Sequence, residues 1–131
     1  MKTINIENDI SYQIRGAIYK VYNTLGPRLF ESVYVKALVY ELINKGHRVE
    51  TEVEVPVIYD KINLDLGFRL DILVNEKVII EVKSVEHLRD LHHKQLLTYL
   101  KLTDLKLGIL VNFNERDINE GIFRKINSVQ R

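Results

Sequence analysis

The sequence contains no cysteine, which removes disulfide frameworks, thiolate zinc sites and a cysteine nucleophile together. Any metal has to be held by oxygen or imidazole. Long apolar runs are missing as well. No stretch approaches the ~20 residues needed to span a bilayer, and the start, MKTINIENDISYQIRGA, lacks the continuous apolar core of a signal peptide. The expected location is therefore cytoplasmic, with no membrane partner. Nor does one charge dominate: nineteen Lys and Arg stand against eighteen Asp and Glu, a net charge of +1. Charge alone thus gives no strong pull towards a phosphate backbone, and a nucleic-acid binder would need a local basic lining.

What is present is an ordinary globular balance, 46% hydrophobic and 28% charged in 131 residues. That suits one domain over residues 1–131 with its own core. Ile10, Ile14, Ala17, Ile18, Val21, Tyr22 and Leu25 recur at helical spacing, with Asn8 or Asp9 as cap and Gly26-Pro27 as stop. Val33, Tyr34, Ala37, Leu38 and Leu42 predict a second helix with Glu31 in its first turn and Gly46 beyond its end. From Arg48 to Tyr59 the period changes to two, placing Val49, Thr51, Val53, Val55 and Val57 on one face and the glutamates on the other. Pro56 cannot donate to a ladder, so this strand belongs near a sheet edge or ends irregularly. Asp60 to Gly67 reads as a break.

Phe68–Val74 and Val78–Ser84 are the strongest strand signals, joined by the polar loop Asn75-Glu76-Lys77. Leu70, Ile72, Val74, Val78, Ile80 and Val82 form a wholly apolar face; the other carries Asp71, Leu73, Ile79, Glu81 and Lys83. Asp90 can cap a third helix, on which Leu91, Gln95 and Tyr99 share a face. Lys106–Phe113 is a buried strand reached by a parallel crossover, and Glu115–Arg131 a turn with a short final strand.

Hairpin register decides whether the charges meet. If Val74 pairs with Val78 across a three-residue turn, Asp71 lies opposite Glu81 and Arg69 opposite Lys83. A two-residue loop would put Asp71 opposite Ile80 and split the cluster. The first register is expected. Two facing carboxylates repel, and a hard divalent cation with oxygen ligands, Mg2+ or Mn2+, relieves that repulsion. Lys83, two residues beyond Glu81, can position or deprotonate an attacking water or neutralise developing charge. An isolated Glu-x-Lys carries little weight, and a cross-strand salt bridge is its ordinary explanation. The apolar strands around it, the acid on the partner strand and the helix bearing Gln95 and Tyr99 shift that balance.

Several segments together resemble a known family: LGPRLFESVY (25–34), FRLD (68–71), EVK (81–83), QLLTYL (95–100) and LGILVNF (107–113) look like the GxxExxY proteins of the PD-(D/E)XK nuclease superfamily. The resemblance implies an α/β fold with a restriction-endonuclease-like αβββαβ core, a mixed sheet flanked by helices and an extra N-terminal helix. It implies Asp71, Glu81 and the carbonyl of Val82 as metal ligands, Lys83 as catalytic lysine and Glu31 as an additional acid near the metal. Gln95 and Tyr99 match a Q-x-x-x-Y element that supports the site and contacts substrate. Two positions depart from the pattern. Arg28 replaces the first glycine of the motif, which alters the turn or adds a phosphate-binding charge, and Leu70 replaces the proline often found before the aspartate.

Other candidates are weaker. Glu31 could simply favour the positive end of its helix, and Tyr34 reads as a packed aromatic. His92 and His93 are adjacent, so they point to different sides of a helix and cannot form one two-histidine site; His92 is the one placed to touch substrate. The function expected is metal-dependent hydrolysis of nucleic acid, with DNA as substrate. The alternative is a catalytically silent module of the same fold that binds nucleic acid or a protein. A homodimer would let so small a nuclease reach both strands, although no segment stands out as an interface.

Overall fold

The computed structural model describes residues 4–128. Two helices come first, α1 (Asn5–Leu25) and α2 (Glu31–Asn44). They are followed by β1 (Val49–Glu54), a small hairpin of β2 (Ile58–Tyr59) and β3 (Ile62–Asn63), and the long hairpin of β4 (Arg69–Val74) and β5 (Val78–Lys83). Helix α3 (Asp90–Thr103), β6 (Leu107–Asn112), a 3-10 turn (Ile118–Gly121) and β7 (Ile122–Ile126) complete the described chain. The main sheet has the order β1-β4-β5-β6-β7. Only β5 and β6 run parallel, because α3 carries the chain back across the sheet between them. Among the described residues no helix is long and apolar enough to cross a membrane.

Both faces of the sheet are covered, which is why β5 and β6 are apolar on both sides rather than alternating. On one face Ile14, Ile18, Leu38 and Leu42 from α1 and α2 pack with Ile72, Val74, Val78, Ile80 and Val82. On the other, Leu96, Tyr99 and Leu100 of α3 pack with Leu73, Ile79 and Leu110. Each fully buried aliphatic side chain of this kind contributes ~1.5–3 kcal/mol, so the β4–β5 hairpin is anchored from both sides. Helix α3 approaches β6 over Gly108, where an added Cβ would lie 2.7 Å from the Leu96 side chain.

The hairpin adopts the expected register, with Val74 opposite Val78, Leu73 opposite Ile79 and Ile72 opposite Ile80. Asn75 and Glu76 take positive φ of 53° and 56°, and Lys77 N–H donates to the Val74 carbonyl at 3.0 Å. This is the twisted turn that matches right-handed strands.

Five expectations need correction. Helix α1 starts at Asn5 and neither Asn8 nor Asp9 caps it; Asn8 instead accepts a hydrogen bond from Arg124 of β7. Helix α3 begins with Asp90 inside it, and its first turn is closed by His92, whose Nδ1 accepts the Arg89 N–H at 3.0 Å. The strand expected over 48–59 stops at Glu54, and the Asp60–Gly67 break contains β3. Pro56 ends the ladder, and Asp60 and Lys61, both at positive φ, turn the chain into a separate hairpin. Leu70 joins the core beneath α3, not the one beneath α1 and α2, because regular alternation fails between Leu70 and Ile72. On its β1 side Arg69 meets Glu54, at 4.0 Å. The edge position of β1 and the parallel β5–β6 pair are as expected, as is a short final strand, which pairs antiparallel with β6. Residues 129–131 of the C-terminal segment lie outside the described residues.

Asn112 closes β6 beneath the end of β5. Fully buried, it donates through Nδ2 to the Val85 carbonyl and accepts the Val85 N–H through Oδ1, both at 3.0 Å. The side chain thereby acts as one more rung of ladder beyond Lys83. Asn112→Leu is expected to destabilise the fold by about 2–4 kcal/mol, since it strands both polar groups of Val85. Chemical denaturation measures this; a change below about 1 kcal/mol would mean that water replaces the amide.

Candidate active site

At the next position after the Ile72–Ile80 pair the β4–β5 ladder gives way to side chains. The N–H of Asp71 donates to Glu81 Oε2, and the N–H of Val82 donates to Asp71 Oδ2, each at 2.9 Å. Each carboxylate thus takes a backbone proton from the opposite strand, which locks the two acids face to face. Glu81 is 2% exposed, and neither acid enters an ion pair among the described residues. Burial, then the neighbouring Asp71 charge, pushes the Glu81 carboxyl up to about 8. Asp71 is also raised, chiefly by burial, against a hydrogen bond from Val82 and the Lys83 charge. A buried acid next to a half-buried one, with no cationic partner in contact, is costly unless a proton or a cation is bound there.

Lys83 and Glu31 are brought to the same neighbourhood by a clamp on the end of β5. Glu31 Oε2 accepts the Ser84 N–H at 3.3 Å, and Ser84 Oγ donates to the Leu29 carbonyl at 2.6 Å. The charges of both Lys83 and Glu31 reach Asp71. Tyr34 is the packed aromatic that its position suggested, stacked on Phe113 with centroids 4.2 Å apart. Its hydroxyl also holds the loop before Glu31, donating to the Gly26 carbonyl at 2.6 Å and accepting the Leu29 N–H at 3.1 Å. Gly26 itself has φ 69° and ψ −175°, a region open essentially only to glycine. Arg28 lies exposed in the same loop with φ 76°, so a residue with a side chain occupies a left-handed position that favours glycine.

Helix α3 supplies the remaining wall. Gln95 Nε2 donates to the Tyr99 hydroxyl at 3.1 Å. Burial is the main cause of a raised Tyr99 phenol, and the charges of Glu81 and Asp71 add to it. His92 feels both Lys83 and Glu31; burial first, then Lys83 and Arg89, lowers its imidazole. Since His92 Nδ1 accepts the Arg89 N–H, its proton resides on Nε2. His93 turns away, edge-on to Phe123 at 4.9 Å. Asp71, Glu81, Lys83, Glu31, His92, Gln95 and Tyr99 therefore share one region; Val82 sends its side chain into the core.

Two residues of this region are not singled out by the sequence. Glu52 belongs to a run of alternating glutamates that reads as a solvated face. The β1–β4 register, Thr51 with Ile72 and Val53 with Leu70, sets it beside Asp71. Its φ of 53° breaks the alternation, and its charge raises both Asp71 and Glu81. Ser84 follows the Glu-x-Lys stretch without any signal of the contacts it makes.

Among the described residues no group of three or more Asp, Glu or His side chains forms a metal cage. The pair nonetheless fits a hard divalent cation that keeps several waters and shares its shell with substrate oxygens, because two adjacent carboxylates, one buried and one half-buried, with no cation in contact are its natural donors.

A mixed sheet with one parallel pair, covered by helices on both faces and opening at an acid pair, is a restriction-endonuclease-like fold. The chain belongs to the PD-(D/E)XK nuclease superfamily, whose family model matches residues 8–125. Searches of curated proteins and of solved structures returned no match.

Two outcomes follow. In chelator, Glu81 remains protonated in the folded chain up to about 8 but ionises near 4.5 once unfolded. The folded state then binds more protons across that interval, so stability falls as pH rises from about 4.5 to about 8. Thermal melts across this range should show the fall, and Glu81→Gln should flatten it; an equally steep wild-type and variant profile would assign it elsewhere. Arg28→Gly is expected to gain on the order of 0.5–1 kcal/mol, since a left-handed side-chain residue costs roughly 1–2 kcal/mol and glycine's freedom when unfolded offsets part of it. A loss of stability in denaturant would mean that the arginine side chain holds the loop.

Proposed function

We propose that this protein is a metal-dependent nuclease that hydrolyses phosphodiester bonds of nucleic acid, with DNA as substrate, and that it belongs to the GxxExxY branch of its superfamily. The observation that carries the reading is the pairing of buried Glu81 with half-buried Asp71, each acid held by the other strand's backbone and neither neutralised by a contacting cation. An arrangement made only for stability would use a salt bridge or apolar residues here. The branch is supported by the Glu31 and Tyr34 contacts, which give the motif's acid and aromatic a joint task in fixing the loop against β5.

Asp71 and Glu81, with the main-chain carbonyl of Val82, would hold Mg2+ or Mn2+. Such an ion supplies Lewis-acid stabilisation of the phosphate charge and an activated water. Lys83 emerges on the same strand two residues after Glu81 and sets an ammonium beside Asp71. It orients the attacking water and offsets the negative charge that builds on the phosphate oxygens as the new P–O bond forms and the bond to the leaving sugar oxygen breaks. Glu31 fixes the end of β5, and thereby Lys83, through Ser84. His92, neutral with a donor at Nε2, together with Gln95, Tyr99 and the exposed Arg28, lines the approach taken by substrate.

Purified protein is expected to nick or degrade DNA when Mg2+ or Mn2+ is added and to stop when chelator is added. Asp71→Ala and Lys83→Ala should each lower the rate by at least about 100-fold. Calorimetry should show a divalent ion bound by the wild type and weakened in Asp71→Ala. Cleavage that persists in both variants without metal would refute the assignment.

A further inference from the structure

We propose that the groove between Phe68 and the first half of α3 is a nucleobase subsite that seats one unpaired base next to the scissile phosphate. This protein would then take single-stranded or frayed nucleic acid in preference to intact duplex. The inference rests on the phosphodiesterase reading and adds the form of the substrate.

The groove has a volume of about 310 Å3. Its aromatic wall is the half-exposed ring of Phe68, backed by the buried Tyr99 with centroids 5.7 Å apart and planes at 52°. Leu91, on the first turn of α3, contributes an aliphatic surface left 64% exposed. A flat ring entering here would bury that surface, and stacking on aromatic side chains is tolerant of which base enters.

The polar groups at the groove are unlike those of a purely apolar site. Gln95 gives one amide N–H to Tyr99, which leaves its carbonyl as an acceptor and its second N–H as a donor. His92 spends Nδ1 on the Arg89 N–H, which leaves Nε2 as a donor. Thr98 donates its hydroxyl proton to the Lys94 carbonyl and keeps acceptor capacity. An acceptor and a donor beside an aromatic wall suit the mixed hydrogen-bonding edge of a base. Lys94 also lines the groove, and Arg89 and Lys83 both act on His92. This supplies the local positive charge that a phosphate backbone needs in a chain that is nearly neutral overall.

The groove also adjoins the acids. Tyr99 responds to the charges of Glu81 and Asp71, and His92 to those of Lys83 and Glu31. A base held there places its own phosphate near the carboxylate pair. A base inside a duplex presents neither its faces nor its pairing edge, so it must first leave the stack, at a cost that is least when it is already unpaired.

The test uses a short single-stranded oligodeoxynucleotide carrying one 2-aminopurine, in calcium, with the strand checked intact afterwards. Binding should quench its fluorescence several-fold. The same strand with abasic sugars in place of bases should bind at least about tenfold more weakly, as loss of one stacked base implies. A duplex of the same sequence should also bind more weakly. Leu91→Ser, at an exposed position, and Phe68→Ala should abolish the quench while leaving affinity for the abasic strand unchanged. Equal affinity for the normal and abasic strands, or a quench that survives both substitutions, would overturn the subsite and leave the nuclease reading standing. No binding of either strand would overturn both.

Discussion

The site depends on one exchange of hydrogen bonds. Where β4 and β5 would otherwise continue their ladder, the carboxylate of each strand accepts a backbone N–H of the other. The strands stay joined, so the sheet loses no cohesion, yet a buried and a half-buried negative group are fixed side by side. Each hydrogen bond favours the ionised acid, while burial and mutual repulsion oppose it more strongly, and Glu81 ends far above the usual carboxylate range. Geometry is thus set before any cation arrives, with the electrostatic debt left open for one to cancel.

Support for the pair comes from behind and from beside it. The β5 strand is buried on both faces, so it cannot shift without disturbing two cores. Its end is held twice, by Glu31 and Leu29 on Ser84 and by Asn112 on Val85. The contact from Glu31 is therefore partly architectural: the acid in the first turn of α2 tethers the strand that carries Lys83. Tyr34, wedged on Phe113 and bonded to both ends of the preceding loop, explains why an aromatic three residues after Glu31 belongs to the same unit. Arg28 shows the opposite case. It occupies a left-handed backbone position with an exposed side chain, so the loop carries a strained residue that fixes nothing by its side chain among the described residues.

The neighbouring β1 edge introduces a complication that pairwise reasoning about the hairpin does not contain. Glu52 adds a third negative charge close to Asp71 and Glu81 and does so from a left-handed backbone conformation in mid-strand. The strand thereby abandons its regular alternation beside the acids. Across from it on β4, Leu70 leaves the face that Ile72 and Val74 share and joins the core beneath α3.

Much of this was determined by the sequence alone. Three helices, the β4–β5 hairpin and its register, the parallel crossover to β6 and the edge position of β1 follow from periodicity, turn residues and one proline. These are local signals, and the two-residue period leaves only one register that keeps charges together. What only the tertiary structure decided lies between elements distant in the chain. Ser84 meets Glu31, Asn112 meets Val85, His92 rather than Asp90 closes α3, and Glu52 comes up beside Asp71. Those contacts join residues whose separation in sequence carries no period, or, at α3, exchange one capping group for another. They arise because packing on both faces of the sheet fixes where each strand ends, and no local pattern encodes which polar group will be waiting there.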